Sequence, residues 1–318
     1  MSMPKLRSVD FHCDVLWKLL EDQSLSFEQD MTNKLDVTLP RLKQAGSVLQ
    51  TFAIYVPERM EKSMIPILHS IDLFHRKVLS VPEMTFVRTS SDAAKLMNNS
   101  HSIGAMLSLE GADGLHGDLA MLRILYELGV RALGLTWNYA NWGADGAMEP
   151  RGGGLTKKGE ALVKECDRLG ILLDVSHLSD RAFWEMIKIS TKPLIASHSN
   201  SRSLCAHPRN LADDQLKALI ERGGMIGITF VPQFVASHHA AAIADVLRHI
   251  ERVCELGGED QLMFGSDFDG IEAHVQELAH PGELYRLQNA LLARYSEERV
   301  DAFLAGNALH FLVKHLPS

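Results

Sequence analysis

Residues able to hold a metal ion recur at the ends of short apolar segments along this 318-residue chain. The first is His12-Cys13-Asp14, closing the stretch Arg7-Ser-Val-Asp-Phe. On a β-strand, residues two apart project to the same side. His12 and Asp14 can therefore face one ion together while Cys13 points away. An imidazole beside a carboxylate suits zinc and its borderline neighbours. Four later segments end on the same kinds of residue: Ala105-Met-Leu-Ser-Leu-Glu110, Leu172-Leu-Asp-Val-Ser-His177, Leu194-Ile-Ala-Ser-His198 and Met263-Phe-Gly-Ser-Asp267-Phe-Asp269-Gly270. A lone histidine after a strand is usually a hydrogen-bonded loop residue. Five such ends point to a metal site. Three histidines with two or three carboxylates overfill the four-coordinate shell of one zinc, which must also leave a position for water. Two ions roughly 3.5–4 Å apart can share a carboxylate, and Glu110, alone on its segment end, is the natural bridge.

The elements that must position these residues are legible in the pattern. Strand candidates lie near Ser8–Asp14, Val48–Val56, Ile103–Glu110, Arg131–Thr136, Ile171–Val175, Leu194–Ser197, Met225–Val231 and Leu262–Gly265. Several are uniformly apolar, as strands of a parallel sheet buried on both faces must be. Between them Ile67, Leu68, Ile71, Phe74 and Val78, and again Ile243, Val246, Leu247, Ile250 and Val253, keep helical spacing. Ser179 and Asp213 read as N-caps. About eight β-α repeats predict an α/β fold, a (β/α)8 TIM-like barrel formed by residues 1–318 as one domain that includes the C-terminal helices. No G-x-G-x-x-G follows the first strand, which disfavours an open dinucleotide-binding sheet. In such a barrel, functional residues sit at the C-terminal strand ends. The Gly-rich stretch Asn138–Leu155 has no period and reads as a long loop on that face, bordering the site or acting as a lid.

Composition narrows the partners. A formal net charge of -8 and a pI near 6.0 argue against a nucleic-acid binder. Nothing resembles a signal peptide, a membrane span or a lipid-anchor tail, so no membrane association is expected. Cys13, Cys166, Cys205 and Cys254 are scattered and read as reduced thiols of a cytoplasmic protein.

Taken together, His12-x-Asp14, Ser108-Leu-Glu110-Gly, Asp174-Val-Ser-His177, Ser197-His198-Ser, Cys205-Ala-His-Pro-Arg209-Asn210 and Gly265-Ser-Asp267-Phe-Asp-Gly270 resemble the membrane (renal) dipeptidase family of the amidohydrolase superfamily. The resemblance runs over nearly the whole chain and fits a microbial-type member. It implies a binuclear site with two Zn2+ per subunit: His12 and Asp14 on one ion, His177 and His198 on the other, and Glu110 between them. It implies hydrolysis of dipeptides, L-Xaa-L-Xaa and also L-Xaa-D-Xaa, by a metal-bridging hydroxide, with Asp267 shuttling the proton. It also implies that Arg209 holds the substrate carboxylate, with Arg202 in reserve, and that Asp269 is structural. A homodimer is expected on the same basis, and opening of β-lactams or dehydropeptides stays open. One departure stands out. Animal members carry a histidine where this chain has Trp137, in Leu135-Thr136-Trp137-Asn138, so Asn138 is the candidate to hydrogen-bond the substrate carbonyl. The alternative reading keeps the chemistry and changes the substrate to another small amide, an N-acyl amino acid or a lactone.

Overall fold

Segments such as Ile103-Gly-Ala-Met-Leu-Ser-Leu-Glu110 and Val130-Arg-Ala-Leu-Gly134 lack polar alternation, and both are buried along nearly their whole length. Strands of this kind need cover on both faces, which a ring of crossover helices provides. The computed structural model describes residues 6–29, 33–98 and 102–318. Met1–Lys5, expected to run straight into the first strand, lies outside them. Among the described residues the strands are β1 (Ser8–Asp10), β2 (Ser47–Tyr55), β3 (Met84–Phe86), β4 (Ile103–Glu110), β5 (Val130–Gly134), β6 (Leu172–Asp174), β7 (Ile195–Ala196), β8 (Met225–Ile228) and β9 (Leu262–Phe264). All pair in parallel, in the order β1-β2-β4-β5-β6-β7-β8-β9. The seam between first and last is drawn together just past their ends. There Phe11 N–H donates to Phe264 O at 2.9 Å, Asp14 N–H donates to Phe268 O at 2.9 Å, and Cys13 bridges Phe268. The result is the (β/α)8 barrel that the repeats predicted.

Two local expectations need correction. β3 is an extra strand outside the barrel order, pairing with Ile103–Ala105 of β4; three residues are too few for a periodic signal. Asp213 is not an N-cap. Ala212 occupies that place in the helix Asp213–Glu221, its N–H bonded by Gln215 Oε1 at 2.8 Å, while the Asp213 carboxylate pairs with Arg252. Ser179 does cap its helix, accepting from Ala182 N–H at 3.1 Å. The helix Met64–Leu73 and a following π turn, Phe74–Val78, bury Ile67, Ile71, Phe74 and Val78, but Leu68 is 41% exposed.

One buried cluster takes a residue from each barrel strand: Val9, Leu49, Met106, Ala132, Leu172, Ile195, Met225 and Met263. Ala308, Leu309 and Leu312 of the C-terminal helix Asn307–His315 join it. On β4, Met106 and Glu110 share a face, so alternation lifts the carboxylate above this apolar lower layer. Cys13 points the other way, into the main core, and is fully buried. No helix among the described residues is long and apolar enough to cross a membrane.

The strands converge closely under the site. A Cβ on Gly265 would lie 1.9 Å from Ser197 O and 3.3 Å from the Cβ of His198. Gly265→Ala should therefore lower stability by about 1–3 kcal/mol, the usual cost of overpacking. Thermal denaturation checks this, and an unchanged Tm would contradict the close approach.

Candidate metal centre and active site

A bend at Phe11 interrupts the alternation after β1, and His12 and Asp14 then stand side by side, 3.5 Å apart (Nε2 to Oδ2). Glu110 ends β4 facing them. Its Oε2 lies 3.6 Å from His12 Nε2, while its Oε1 lies 2.8 Å from His177 Nε2 and 3.7 Å from His198 Nε2. Asp267 Oδ1 stands 3.5 Å from His12 Nε2. All five expected metal ligands and Asp267 thus share one site, and Glu110 divides them into two sets. Three residue groups there bring ligand atoms within 4.8 Å of one another: His12–Asp14–Glu110, Glu110–His177–His198 and His12–His198–Asp267.

The surrounding structure prepares these donors. His198 Nδ1 is 2.7 Å from Ser197 Oγ, and that hydroxyl donates to the Asp174 carboxylate. The hydroxyl proton is committed to Asp174, so the ring N–H must be on Nδ1, leaving Nε2 bare. His177 Nδ1 meets Asn138 Oδ1 at 2.8 Å. The Asp10 carboxylate accepts from His12 N–H and from the Ser266 N–H and hydroxyl, tying the first strand to the last beside Asp267. Backbone strain gathers at the same place. His177, Asp267 and Asp269 adopt φ of +74°, +67° and +68°, a region side chains with a Cβ normally avoid. Asp269 does not reach the cluster. Its two oxygens accept from Asp36 and Val37 N–H, and Asp36 in turn accepts from Asp269 N–H and His274. It is the structural residue expected.

The electrostatics suit a bound cation. Burial pushes the Glu110 carboxyl up to about 7, against the pull of His12 and with a push from Asp14. Burial likewise raises Asp267, with Asp14 and Glu110 adding to it. His177 and His198 are held neutral by burial, with the positive charges of Arg209 and His12 adding to it. Burial alone would also neutralise His12, but Glu110, Asp14 and Asp267 outweigh it and bring its pKa to about 10. His177 Nε2 lies 2.8 Å from His198 Nε2, an approach that a shared cation relieves. His12 Nε2 and Asp14 Oδ1 are buried with no hydrogen-bond partner. Buried polar atoms of this kind normally find partners, and a metal ion satisfies both. The residues present therefore fit a metal cofactor.

Above the cluster opens a pocket of about 510 Å3, walled in part by Trp17, Tyr55, Trp137, Asn138, Arg209 and Phe234. Arg209 is 3% exposed, its guanidinium carbon 5.4 Å from the Phe234 ring centre. Asn210 sets its direction: buried, it bonds Cys205 O and Phe234 O through Nδ2 and takes Asn200 N–H on Oδ1. Arg202, the reserve candidate, is bound to Asp180 and to Asn210 O instead. Sequence reasoning passed over Trp17 and Tyr55 because neither is a ligand type. The signal available for Tyr55 was its place at the end of β2, in register with Glu110. Their rings stand edge to face at 5.7 Å, and Tyr55 continues to Trp137 at 5.4 Å. The loop 138–155 borders the site and is tied to the segment around His177. Ala147 N–H bonds His177 O, Ser179 N–H bonds Asp145 O, and the Ser179 hydroxyl bonds Gly153 O.

The class this defines is an α/β barrel with a candidate metal centre at its C-terminal strand ends. The model of the family described as membrane dipeptidase, peptidase family M19, matches residues 3–315. Dipeptidase aclJ of Aspergillus oryzae is 35% identical over 298 residues, covering 88% of this chain and 70% of that protein. Among solved structures, a metallopeptidase described as dipeptidase AC superposes with a TM-score of 0.92 at 28% identity, covering 99% of this chain and all of that one. A metallopeptidase of Rhodobacter sphaeroides, liganded with a phosphinate mimic of L-Ala-D-Ala, superposes with a TM-score of 0.89 at 27% identity, covering 98% of this chain and 99% of that one. The chain belongs to the membrane dipeptidase family, and the enzymes it resembles are metallo-dipeptidases.

Gly270 links sequence motif to geometry. A Cβ there would lie 2.3 Å from Asp14 Oδ2 and 2.6 Å from Asp267 Oδ1. Gly270→Ala should spread those carboxylates and lower the metal content of the purified protein several-fold, measured by elemental analysis, with Arg202→Ala as the control that retains it. Equal metal content in Gly270→Ala would count against the assignment.

Proposed function

We propose that the chain is a zinc-dependent dipeptidase that holds two zinc ions per subunit and hydrolyses L-Xaa-L-Xaa and L-Xaa-D-Xaa dipeptides. The observation that carries this reading is Arg209: a buried guanidinium in the wall of the pocket, with no carboxylate within ion-pair distance among the described residues and its Nε lacking a partner. Burial brings its pKa down to about 10, against the pull of Asp267, Glu110 and Asp174, so it keeps its proton near neutrality. A planar, buried fork of donors suits the free carboxylate of a dipeptide. A further support for the D-residue is the L-Ala-D-Ala mimic held by the Rhodobacter sphaeroides relative.

His12 and Asp14 would hold one ion, His177 and His198 the other, with Glu110 shared. The chemistry the ions supply when bound is a lowered pKa for water and polarisation of the scissile carbonyl. Arg209 anchors the substrate carboxylate, placing the scissile bond over the cluster. Asp267, whose Oδ1 stands 3.5 Å from His12 Nε2 at the edge of the cluster, accepts the proton of the attacking water as a carboxylate. The new C–O bond forms, the C–N bond breaks, and Asp267 returns the proton to the leaving amine, acting first as base and then as acid.

A panel of L,L and L,D dipeptides, assayed before and after chelation with zinc add-back, tests this. Chelator-sensitive cleavage restored by zinc is expected, and no such cleavage of any member would overturn it. Arg209→Ala should lower kcat/KM for dipeptides by the equivalent of about 2–5 kcal/mol, mostly through KM. It should change much less the hydrolysis of an amide lacking the carboxylate. Equal losses on both would favour the small-amide reading.

A further inference from the structure

We propose that Asn138 is a positioning residue for the metal centre, and that it sets the tautomer of His177 rather than binding the substrate carbonyl. This rests on the metallo-dipeptidase reading of the site. Asn138 Oδ1 lies 2.8 Å from His177 Nδ1. An amide oxygen only accepts, so the ring proton is on Nδ1 and donates to it. Nε2 is then bare, and it is Nε2 that faces Glu110 Oε1 and His198 Nε2. The arrangement parallels the other histidine of that half, where Asp174 acts on His198 through Ser197. Both rings of that half are thus held with Nδ1 protonated and Nε2 turned inward, by different partners from different strand ends.

The distance between donor and acceptor is itself held. Segment 146–148 of the long loop bonds to both backbones: Met148 N–H donates to Asn138 O at 2.8 Å and Ala147 N–H to His177 O at 2.7 Å. Thr136 Oγ1 adds a third tie to His177 O at 3.3 Å. A Cβ on Gly146 would lie 2.4 Å from Trp137 O and from Asn138 C, so the loop approaches the asparagine as closely as glycine allows. His177 sits at φ +74°, and these bonds are what keep that backbone in place. The loop after β5 therefore acts on the metal centre through one side-chain hydrogen bond. Removing a partner of this kind typically weakens metal binding by about 10–100-fold.

The test compares wild type, Asn138→Leu, which removes the acceptor, and Asn138→Asp, which keeps one. Zinc affinity is measured by competition with a chromophoric chelator. The histidine tautomers are read by 15N NMR of the metal-free protein, with His177→Gln identifying the His177 signals. Wild type should show His177 protonated at Nδ1. Asn138→Leu should lose that preference and bind one zinc at least tenfold more weakly, with KM for a dipeptide within about twofold once zinc is saturating. Asn138→Asp should restore most of the affinity. If Asn138→Leu fails to fold, Asn138→Ser, too short to reach Nδ1, carries the same comparison. Wild-type zinc affinity in the folded variants would overturn the proposal. A rise in KM at unchanged affinity would also overturn it, and return Asn138 to the substrate carbonyl. Wild type that binds no zinc would instead bring down the metallo-dipeptidase reading itself.

Discussion

The two oxygens of Glu110 face two different sets of donors, and the architecture of the site follows from that division. One oxygen turns toward His12, beside Asp14; the other turns toward His177 and His198. A carboxylate with both oxygens committed in this way must sit on the barrel axis, at the end of a strand rather than on a loop. β4 supplies that place, with β2 and β5 in register beside Glu110. Burying so many ionisable groups together is unfavourable unless a counter-charge compensates. Burial raises Glu110 and Asp267 and neutralises His177 and His198, and it leaves His12 Nε2 and Asp14 Oδ1 unpartnered. A metal ion resolves all of these at once.

Around that centre, the fold spends its unusual conformations sparingly. Left-handed backbone at His177 and Asp267 aims both side chains inward, and at Asp269 it closes a reciprocal clamp on Asp36. Gly270 lets two carboxylates approach its backbone. Asp10 joins the two ends of the barrel seam beneath them. The histidine rings are oriented from behind by Asn138 and by the Asp174–Ser197 pair. Arg209 answers the cluster from the pocket wall, where Phe234 and Asn210 hold it. The positive fork faces the pocket above the cluster, and the loop 138–155 is tied to the backbone beside His177.

Much of this was legible in the chain. Ligand-type residues at five segment ends were enough to place His12, Asp14, Glu110, His177, His198 and Asp267 in one site, because a parallel barrel gathers its C-terminal strand ends on one face. Apolar runs with helical spacers were enough for the barrel. What escaped was short or indirect. Met84–Phe86 is too brief to show a period. Asp213 looks like a cap, but the cap is one residue earlier, at Ala212. Asn138 is polar and next to Trp137, so it reads as a substrate contact; its partner His177 is 39 residues away. Tyr55 and Trp17 carry no ligand chemistry and become visible only as the pocket wall.

By itself the sequence determined the identity of the donors and the order in which strands present them; alternation puts Glu110 on the inner face, but Asp174 and Ser197, not His177 and His198, hold the inward positions of their strands. Tertiary structure alone decided how far apart they stand and which atom of each faces inward. Glu110 divides its oxygens because two strand ends approach from opposite sides. Arg209 rather than Arg202 faces the pocket because Asp180 captures one and Asn210 turns the loop of the other. His177 presents Nε2 because Asn138 takes Nδ1. Distances and tautomers depend on contacts between residues remote in the chain, and no local pattern encodes them.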